Sequence, residues 1–338
     1  MRGVPGKPKK LNAQEGDQPL ISIGIPVFNG QKYLGQTLES LLSQTYKNIE
    51  LIISDDGSTD QTEQICRSFA SSGSRLAYYR RSENIGITAN FNLLLKLAKG
   101  DYFMWAAQDD LWEPTYIEKC LKEMESDKKI VFCSSKTVFI SKSGVETGRV
   151  DADFTTTGMG TAKRIMHYLN HSLEDSQFYG LIRASVIKGK SLADIIGQDH
   201  LIMIALLAEG DLKTVDGYLF KKRKGGASEC LLKLARAYRV TSERRIAWHR
   251  AHLFREFLKL VLKSPKVPLQ SKIYLFFALP SFYLRCYFYH DLTFNRSFRA
   301  AKKLAYLNRS KRGKKGISGK ALLLFHVYLK RLKKRFLR

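Results

Sequence analysis

Two carboxylates, Asp109 and Asp110, stand side by side in MWAAQDDLWEP (residues 104–114), behind an apolar run, between two tryptophans and with no basic neighbour. Adjacent like charges repel. A solvated loop, a helix N-cap ahead of Pro114, or a bound divalent cation with oxygen ligands would each relieve them. Mg2+ or Mn2+ takes one or two protein carboxylates and fills its shell with phosphate oxygens and water, as a nucleotide-diphosphate site requires.

A second acidic pair, Asp55 and Asp56, lies in SDDGSTD (54–60). Gly57 suits a tight turn, and a capping box would have Ser58 cap the next helix with Gln61 reaching back. That leaves the two aspartates open to another reading, acceptance of hydrogen bonds from a nucleobase imide or a ribose. Asp199 opens the apolar stretch HLIMIALLA. Helix initiation is the common use of such an aspartate, and a general base taking a proton from an attacking hydroxyl is the chemical one. His167 and His171 are four apart but belong to no HExxH pattern, which argues against zinc. Neither GxGxxG nor GxxxxGK[ST] occurs, which disfavours a dinucleotide-binding Rossmann site and a P-loop.

The elements that position these residues alternate. ISIGIPVF (21–28) is a strand buried on both faces, followed by a helix carrying Leu34, Leu38, Leu41 and Leu42 at helical spacing. NIELIIS, LAYYRR, DYFMWAA and IVFCSSKTVFI continue the strands, with helices between them. This implies an α/β fold, a mostly parallel sheet with helices on both faces. Ligands in such sheets bind beyond the carboxyl ends of the strands. PVFNG (26–30), SDDGSTD, RRSENIG (80–86) and AQDD (107–110) all fall on that edge. Further along, 161–170 and 197–210 read as helices, 178–187 as a strand, and 212–226 as a hairpin or closing strand.

The 338 residues, 44% apolar and 11% aromatic, are enough for a sizeable core. Five scattered cysteines without a CxxC pair point to a reducing compartment. The polar first 19 residues lack the apolar core of a secretory signal. The formal charge of +26 is unevenly distributed. Residues 1–220 carry 25 Lys and Arg against 27 Asp and Glu, a net −2, whereas residues 221–338 carry 32 against 4, a net +28. A near-neutral folding unit followed by a segment that meets a polyanion is expected.

Three blocks together resemble family 2 of the inverting glycosyltransferases, of the GT-A fold. They are ISIGIPVFNGQKYLGQTLESLLSQTYKNIELIISDDGSTD, then SENIGITANFNLLLKLAKGDYFMWAAQDDLWEP, then GQDHLIMIALLAEG. The resemblance covers residues 20–225, with 1–19 as lead-in and 226–338 as a basic, aromatic-rich helical region. It implies that Pro26, Val27, Phe28 and Asn29 line a nucleotide pocket, that Asp55 and Asp56 contact base and ribose, and that Asn84, Gly86 and Asn90 form its floor. The family's metal-binding DxD falls on Ala107-Gln108-Asp109. Gln108 therefore joins the nucleotide-binding set, Asp109 is the metal-touching acid, Asp110 follows it as a second candidate, and the first acid is replaced by alanine. Asp199 takes the place of the catalytic base, and Arg223 that of a basic residue facing the diphosphate. The implied cofactor is Mg2+ or Mn2+, and the implied donor a nucleotide-diphosphate sugar, UDP by preference.

Residues 271–290 are apolar but interrupted by Pro280 and Arg285, marginal for a membrane span. The last 18 residues pattern as a basic amphipathic helix, with Leu322, Phe325, Leu329, Leu332 and Phe336 on one face. An anionic cytoplasmic leaflet accounts for the +28, each basic residue near it contributing about 1 kcal/mol. The expectation is a bacterial cell-envelope enzyme, cytoplasmic and peripheral on the inner face of the membrane, acting on a glycan or lipid-linked acceptor. A nucleic-acid-binding protein would also use the basic tail, but acids at the sheet edge repel a phosphate backbone and no nucleic-acid partner is expected. A nucleotidyltransferase pairs carboxylates with a metal too, and differs in releasing pyrophosphate. A non-catalytic sugar-nucleotide binder is the remaining alternative, because of Ala107.

Overall fold

The computed structural model describes residues 18–72, 75–151, 153–171, 175–225 and 249–289. Strand β1 (Ile21–Val27) shows why the sheet forms: Ile21, Ile23, Ile25 and Val27 project to one face and are fully buried. They pack there against Leu34, Leu38 and Leu41 of α1 (Leu34–Leu42), each worth about 1.5–3 kcal/mol of burial. The other face of β1 carries Ser22 and Gly24. A side chain at Gly24 would meet the Leu94 Cβ at 2.9 Å, so glycine is what lets α3 (Ile87–Leu97) lie close against the sheet.

β2 (Ile49–Asp55), β3 (Leu76–Arg80) and β4 (Tyr102–Trp105) complete a parallel group ordered β3-β2-β1-β4, with α2 (Thr62–Ser72) between β2 and β3. Beyond β4 the sheet turns mixed. β8 (Leu181–Arg183) pairs antiparallel with both β4 and β6 (Ile130–Ile140), and β9 (Asp211–Arg223) runs parallel to β6. The two-residue β5 (Leu111–Trp112) pairs antiparallel with β9, and β7 (Glu146–Val150) with β6. α4 (Tyr116–Ser126) shares the α1 face, whereas α5 (Thr161–His171) and α7 (Gln198–Glu209) cover the other.

Two expectations change and one alternative is decided. The 178–187 strand is only three residues long and passes into α6 (Ala184–Ile187), where the Ala184 N–H donates to the Asp101 carbonyl. Of the two readings of the 212–226 stretch, the closing strand is the one found, a single 13-residue strand over Asp211–Arg223. Ser58 does not cap α2: its hydroxyl accepts the Asn29 N–H at 2.9 Å, and Asp60 Oδ1 receives the Thr62 N–H instead. The described part of the basic region forms α8 (His249–Lys263) and α9 (Leu269–Tyr289). Phe257, Val261, Val267, Leu275 and Leu279 are buried in the same core as α7, so this part packs on the domain. No described helix is long and apolar enough to cross a membrane. The polar lead-in up to residue 17 and the amphipathic segment over the last 18 residues lie outside the described residues.

Candidate active site

The chain winds from β1 through β2 to β3 on one side, then returns to place β4 on the other side of β1. The carboxyl ends of β1 and β4 therefore flank a topological switch point, where the loops of an open α/β sheet part to leave a crevice. Phe28 and Asn29 leave β1 there, and Ala106 to Asp110 leave β4.

The turn after β1 is stitched to its neighbours by polar groups of both. Asn29 adopts φ 51°, a left-handed conformation that asparagine tolerates. Its N–H donates to Ser58 Oγ and its Oδ1 accepts the Thr59 N–H, both at 2.9 Å. Gly30 N–H donates to Thr62 Oγ1 at 2.8 Å. Gln108 bridges from the opposite side: Oε1 accepts the Phe28 N–H at 3.0 Å and Nε2 donates to the Phe28 carbonyl at 3.2 Å. An amide side chain thus imitates a strand neighbour and locks the two loops of the crevice together. The Phe28 ring, 47% exposed, remains a free apolar face at its mouth. Pro26 is half-buried and Val27 buried beneath it.

Asp55 and Asp56 face inward. Asp55 is fully buried, accepting from the Ser58 N–H at 2.9 Å and the Tyr78 hydroxyl at 2.7 Å, with Arg80 Nε at 3.7 Å. Asp56 accepts the N–H groups of Ile85 at 2.7 Å and Gly86 at 2.9 Å, and so dictates the course of the Asn84-Ile85-Gly86 loop. Asn90 donates to the Ser54 carbonyl at 2.9 Å, while its Oδ1 and the Ser54 hydroxyl are buried without a partner among the described residues. The expected floor residues are therefore brought together. Asp55 offers no surface to a ligand, so what it contributes is the shape of the turn.

The second acidic pair splits into two roles. Asp110 is buried: its Oδ1 accepts the Arg223 N–H at 2.7 Å, and its carbonyl lies 2.9 Å from the Thr37 hydroxyl. Arg223 is turned inward as well. Nε donates to the Asp109 carbonyl at 2.9 Å, the terminal nitrogens donate to the Ser141 carbonyl at 3.1 Å and Gln36 Oε1 at 3.0 Å, and the guanidinium lies 4.3 Å from the Tyr33 ring centre. At 6% exposure it is a clamp on the acidic loop rather than a group held out toward a diphosphate. Thr37, Gln44 and Arg223, none of them acidic, thus hold the loop; Gln44 donates to the Glu113 carbonyl at 2.8 Å. Replacing Arg223 with methionine strands several buried carbonyls and is expected to cost about 3 kcal/mol in urea unfolding, whereas a loss under about 1 kcal/mol would remove it from this role.

The Asp109 carboxylate accepts only from its own backbone N–H among the described residues. Burial lifts it above the usual carboxylate range, against the pull of Arg223 and Lys222. Burial, and after it the Asp109 charge, pushes Asp110 up to about 8. An unfolded aspartate titrates at about 3.9. Between these values the folded protein keeps a proton that the unfolded chain has released, so stability falls as pH rises from about 4 to about 8 and levels off above. Asp110→Asn should flatten that slope in urea midpoints measured in EDTA, and a slope unchanged in the variant would assign it to other groups. The donor chemistry fits Mg2+ or Mn2+. The carboxylate is hard, desolvated and unclaimed, and no group of three or more His, Cys, Asp or Glu forms a cage among the described residues. A phosphate-completed shell needs no such cage.

Asp199 lies in the first turn of α7, half-buried, behind Gly197 at φ 89°. The N-cap position of this helix is taken by Gly197, so Asp199 is not its N-cap. The preceding segment is tied to α3 beside the crevice floor: Thr88 Oγ1 donates to Asp194 at 3.1 Å, and Asn92 exchanges two hydrogen bonds with the backbone of Leu192 at 2.7 and 3.0 Å. These tethers were not legible as site features, because Thr88 and Asn92 read as ordinary helix polar residues.

Residues 22–188 match the family model described as Glycosyl transferase family 2. An uncharacterized glycosyltransferase of Rickettsia typhi is 41% identical over 123 residues, 36% of this chain and 37% of that protein. WfaP of Escherichia coli, a UDP-Glc:alpha-D-GlcNAc-diphosphoundecaprenol beta-1,3-glucosyltransferase, is 40% identical over 129 residues, 38% of this chain and 50% of that one. These matches thus span between about two fifths and half of the relatives' lengths. Among solved structures, S. aureus TarS in complex with UDP-GlcNAc superposes with a TM-score of 0.52 at 17% identity, covering 71% of each chain. The fold is the GT-A fold.

Proposed function

The chain carries a family 2 glycosyltransferase domain over residues 22–188, and from that premise we propose that it transfers a sugar from a UDP-sugar to an acceptor hydroxyl, with inversion. The observation that carries this reading is Asp109, a carboxylate that accepts from no other residue among the described ones, on a loop that Gln108 joins to the Phe28-Asn29 turn and Arg223 holds in place. WfaP, a UDP-glucose-dependent relative, favours UDP over other nucleotides.

In this reading Phe28 offers its exposed ring to the base, and the floor set by Asp56, Asn84, Gly86 and Asn90 receives the nucleoside. Asp109 holds Mg2+ or Mn2+, whose contribution when bound is to neutralise charge growing on the leaving diphosphate. The acceptor hydroxyl attacks the anomeric carbon from the face opposite the nucleotide, and Asp199 takes its proton. One displacement inverts the centre. Arg223 acts from behind, by keeping the Asp109 loop in place.

A lipid-linked acceptor at the inner face of a cell membrane fits the net +28 of residues 221–338 and the diphosphoundecaprenol acceptor of WfaP. The testing experiment is a thermal-shift screen of the full chain against UDP, GDP, dTDP and CDP with and without Mn2+. A ligand at 100 times its Kd adds about 2.7 kcal/mol, readily visible. A shift with UDP that requires Mn2+, followed by release of UDP rather than pyrophosphate on turnover, is expected. No shift with any nucleotide would sink the reading.

A further inference from the structure

Helix α9 is apolar around its whole circumference over 273–279, yet only one side of it is buried. Leu275 and Leu279 are fully buried against the core shared with α7 and α8. At 100° per residue, Leu269, Ile273, Tyr274, Phe276 and Phe277 spread over the arc that Leu275 and Leu279 leave open. All five are exposed, Leu269 and Phe277 to 72%. With Leu262 at the end of α8, they make six of the ten large exposed hydrophobics among the described residues. A helix apolar on every side ordinarily has apolar material on every side.

The surroundings indicate what that material is. Residues 257–290 contain no Asp or Glu, and carry Lys259, Lys263, Lys266, Lys272 and Arg285. Lys263, the last residue of α8, and Lys266, in the connection to α9, are exposed; Lys259 is engaged with Glu256 at 3.0 Å, and Lys266 lies 3.8 Å from Glu209. An aromatic and aliphatic face bordered by lysines, on a stretch that itself carries no acid, is the pattern of a surface that sinks into the headgroup boundary of an anionic bilayer. No described helix is suited to crossing one.

The face is also joined to the site. A Cβ at Gly197 would lie 2.7 Å from Leu253 of α8, so this helix abuts the turn that precedes Asp199. From Leu253 to Leu262 is about 14 Å along the helix.

We propose that the outer face of α8 and α9, centred on Ile273 and Phe277, is an interfacial docking surface for an anionic lipid bilayer, and that it brings the Asp199 side of the crevice to the membrane. The proposal deepens the lipid-linked reading above and rests on it for its purpose. It assigns the apolar contact to these helices and leaves the tail an electrostatic share.

The test is flotation of the full chain with phosphatidylglycerol-containing vesicles and with pure phosphatidylcholine vesicles. The variants are Ile273→Asp/Phe277→Asp and, separately, Lys263→Glu/Lys266→Glu. Both pairs lie on the surface, so melting temperatures and the nucleotide-induced shift should stay as in wild type. Wild type should float with the anionic vesicles, and each variant should partition at least roughly tenfold less. The proposal is overturned if the Ile273→Asp/Phe277→Asp variant floats as wild type does, or if wild type does not float. It is overturned equally if wild type is a dimer that the same substitutions split, which would give the face to a second copy. Should the nucleotide shift be missing from wild type, the glycosyltransferase reading fails on that count, and flotation still decides the docking face.

Discussion

Asp109→Ala is expected to abolish the Mn2+-dependent thermal shift given by UDP and to lower transfer by about a thousandfold or more, without unfolding the protein. The size follows from the charge involved. A divalent cation on a departing diphosphate is worth several kcal/mol in the transition state, and each 1.36 kcal/mol is about tenfold in rate. The sparing of the fold follows from the hydrogen bonds. The loop is held through the Asp109 carbonyl, which receives Arg223 Nε, and through the carbonyls of Gln108 and Asp110, which lie 3.1 and 2.9 Å from the Thr37 hydroxyl. The Asp109 side chain takes no part in these, and relieving a desolvated carboxylate should leave stability level or slightly raised. Asp110→Ala is the contrasting variant, because it removes the acceptor of the buried Arg223 N–H and should destabilise by about 1–3 kcal/mol. An Asp109→Ala protein that still shifts with UDP and Mn2+ would move the donor site elsewhere.

That two neighbouring aspartates should differ so much could not be read from the chain. Their types and spacing announce a carboxylate pair at the end of β4. Which one is tied up by a backbone N–H of another strand depends on how the loop meets Arg223, 113 residues later, a contact with no local signal. The same holds for the expected Arg223 contact with a diphosphate: a basic residue after the last strand is visible in the sequence, and the carbonyls that absorb its guanidinium are not. The strands and helices were legible for a physical reason. Strands covered on both faces read as unbroken apolar runs, and α1 repeats leucine at helical spacing, so pattern and packing carry the same information. Where an element is made by its partner, as β5 is by β9, two residues carry no pattern of their own. The cap of α2 fails differently. Ser58 has the right type and position, but the Asn29 N–H from another loop claims its hydroxyl, and Asp60 serves instead. In the C-terminal third, composition revealed the charge, whereas the outward apolar face of α9 depends on which side Leu275 and Leu279 bury.

Asp199→Asn is expected to lower kcat by about 10^2- to 10^4-fold while leaving the UDP and Mn2+ shift unchanged. Two roles compete for this residue, and they differ in magnitude. As a negative charge in the first turn of α7 it supports the helix macrodipole, an effect of about 0.3–1 kcal/mol on stability that implies no rate effect. As the base for the acceptor hydroxyl it is needed only when the proton moves, so its loss falls on kcat and not on donor binding. Asparagine keeps the shape and hydrogen-bonding reach and removes the basicity, which separates the two. The proposed role calls for a positioned group rather than a mere helix opener. The segment leading to Gly197 is tied to α3 through Asp194 and Leu192, and Leu253 of α8 closes against Gly197 itself. So many constraints on a helix start exceed what helix initiation needs, and they suit a carboxylate that must meet a hydroxyl within hydrogen-bonding distance. If Asp199→Asn turned over within about twofold of wild type and lost only helix stability, the base would have to be sought elsewhere, and the tethers would be plain packing.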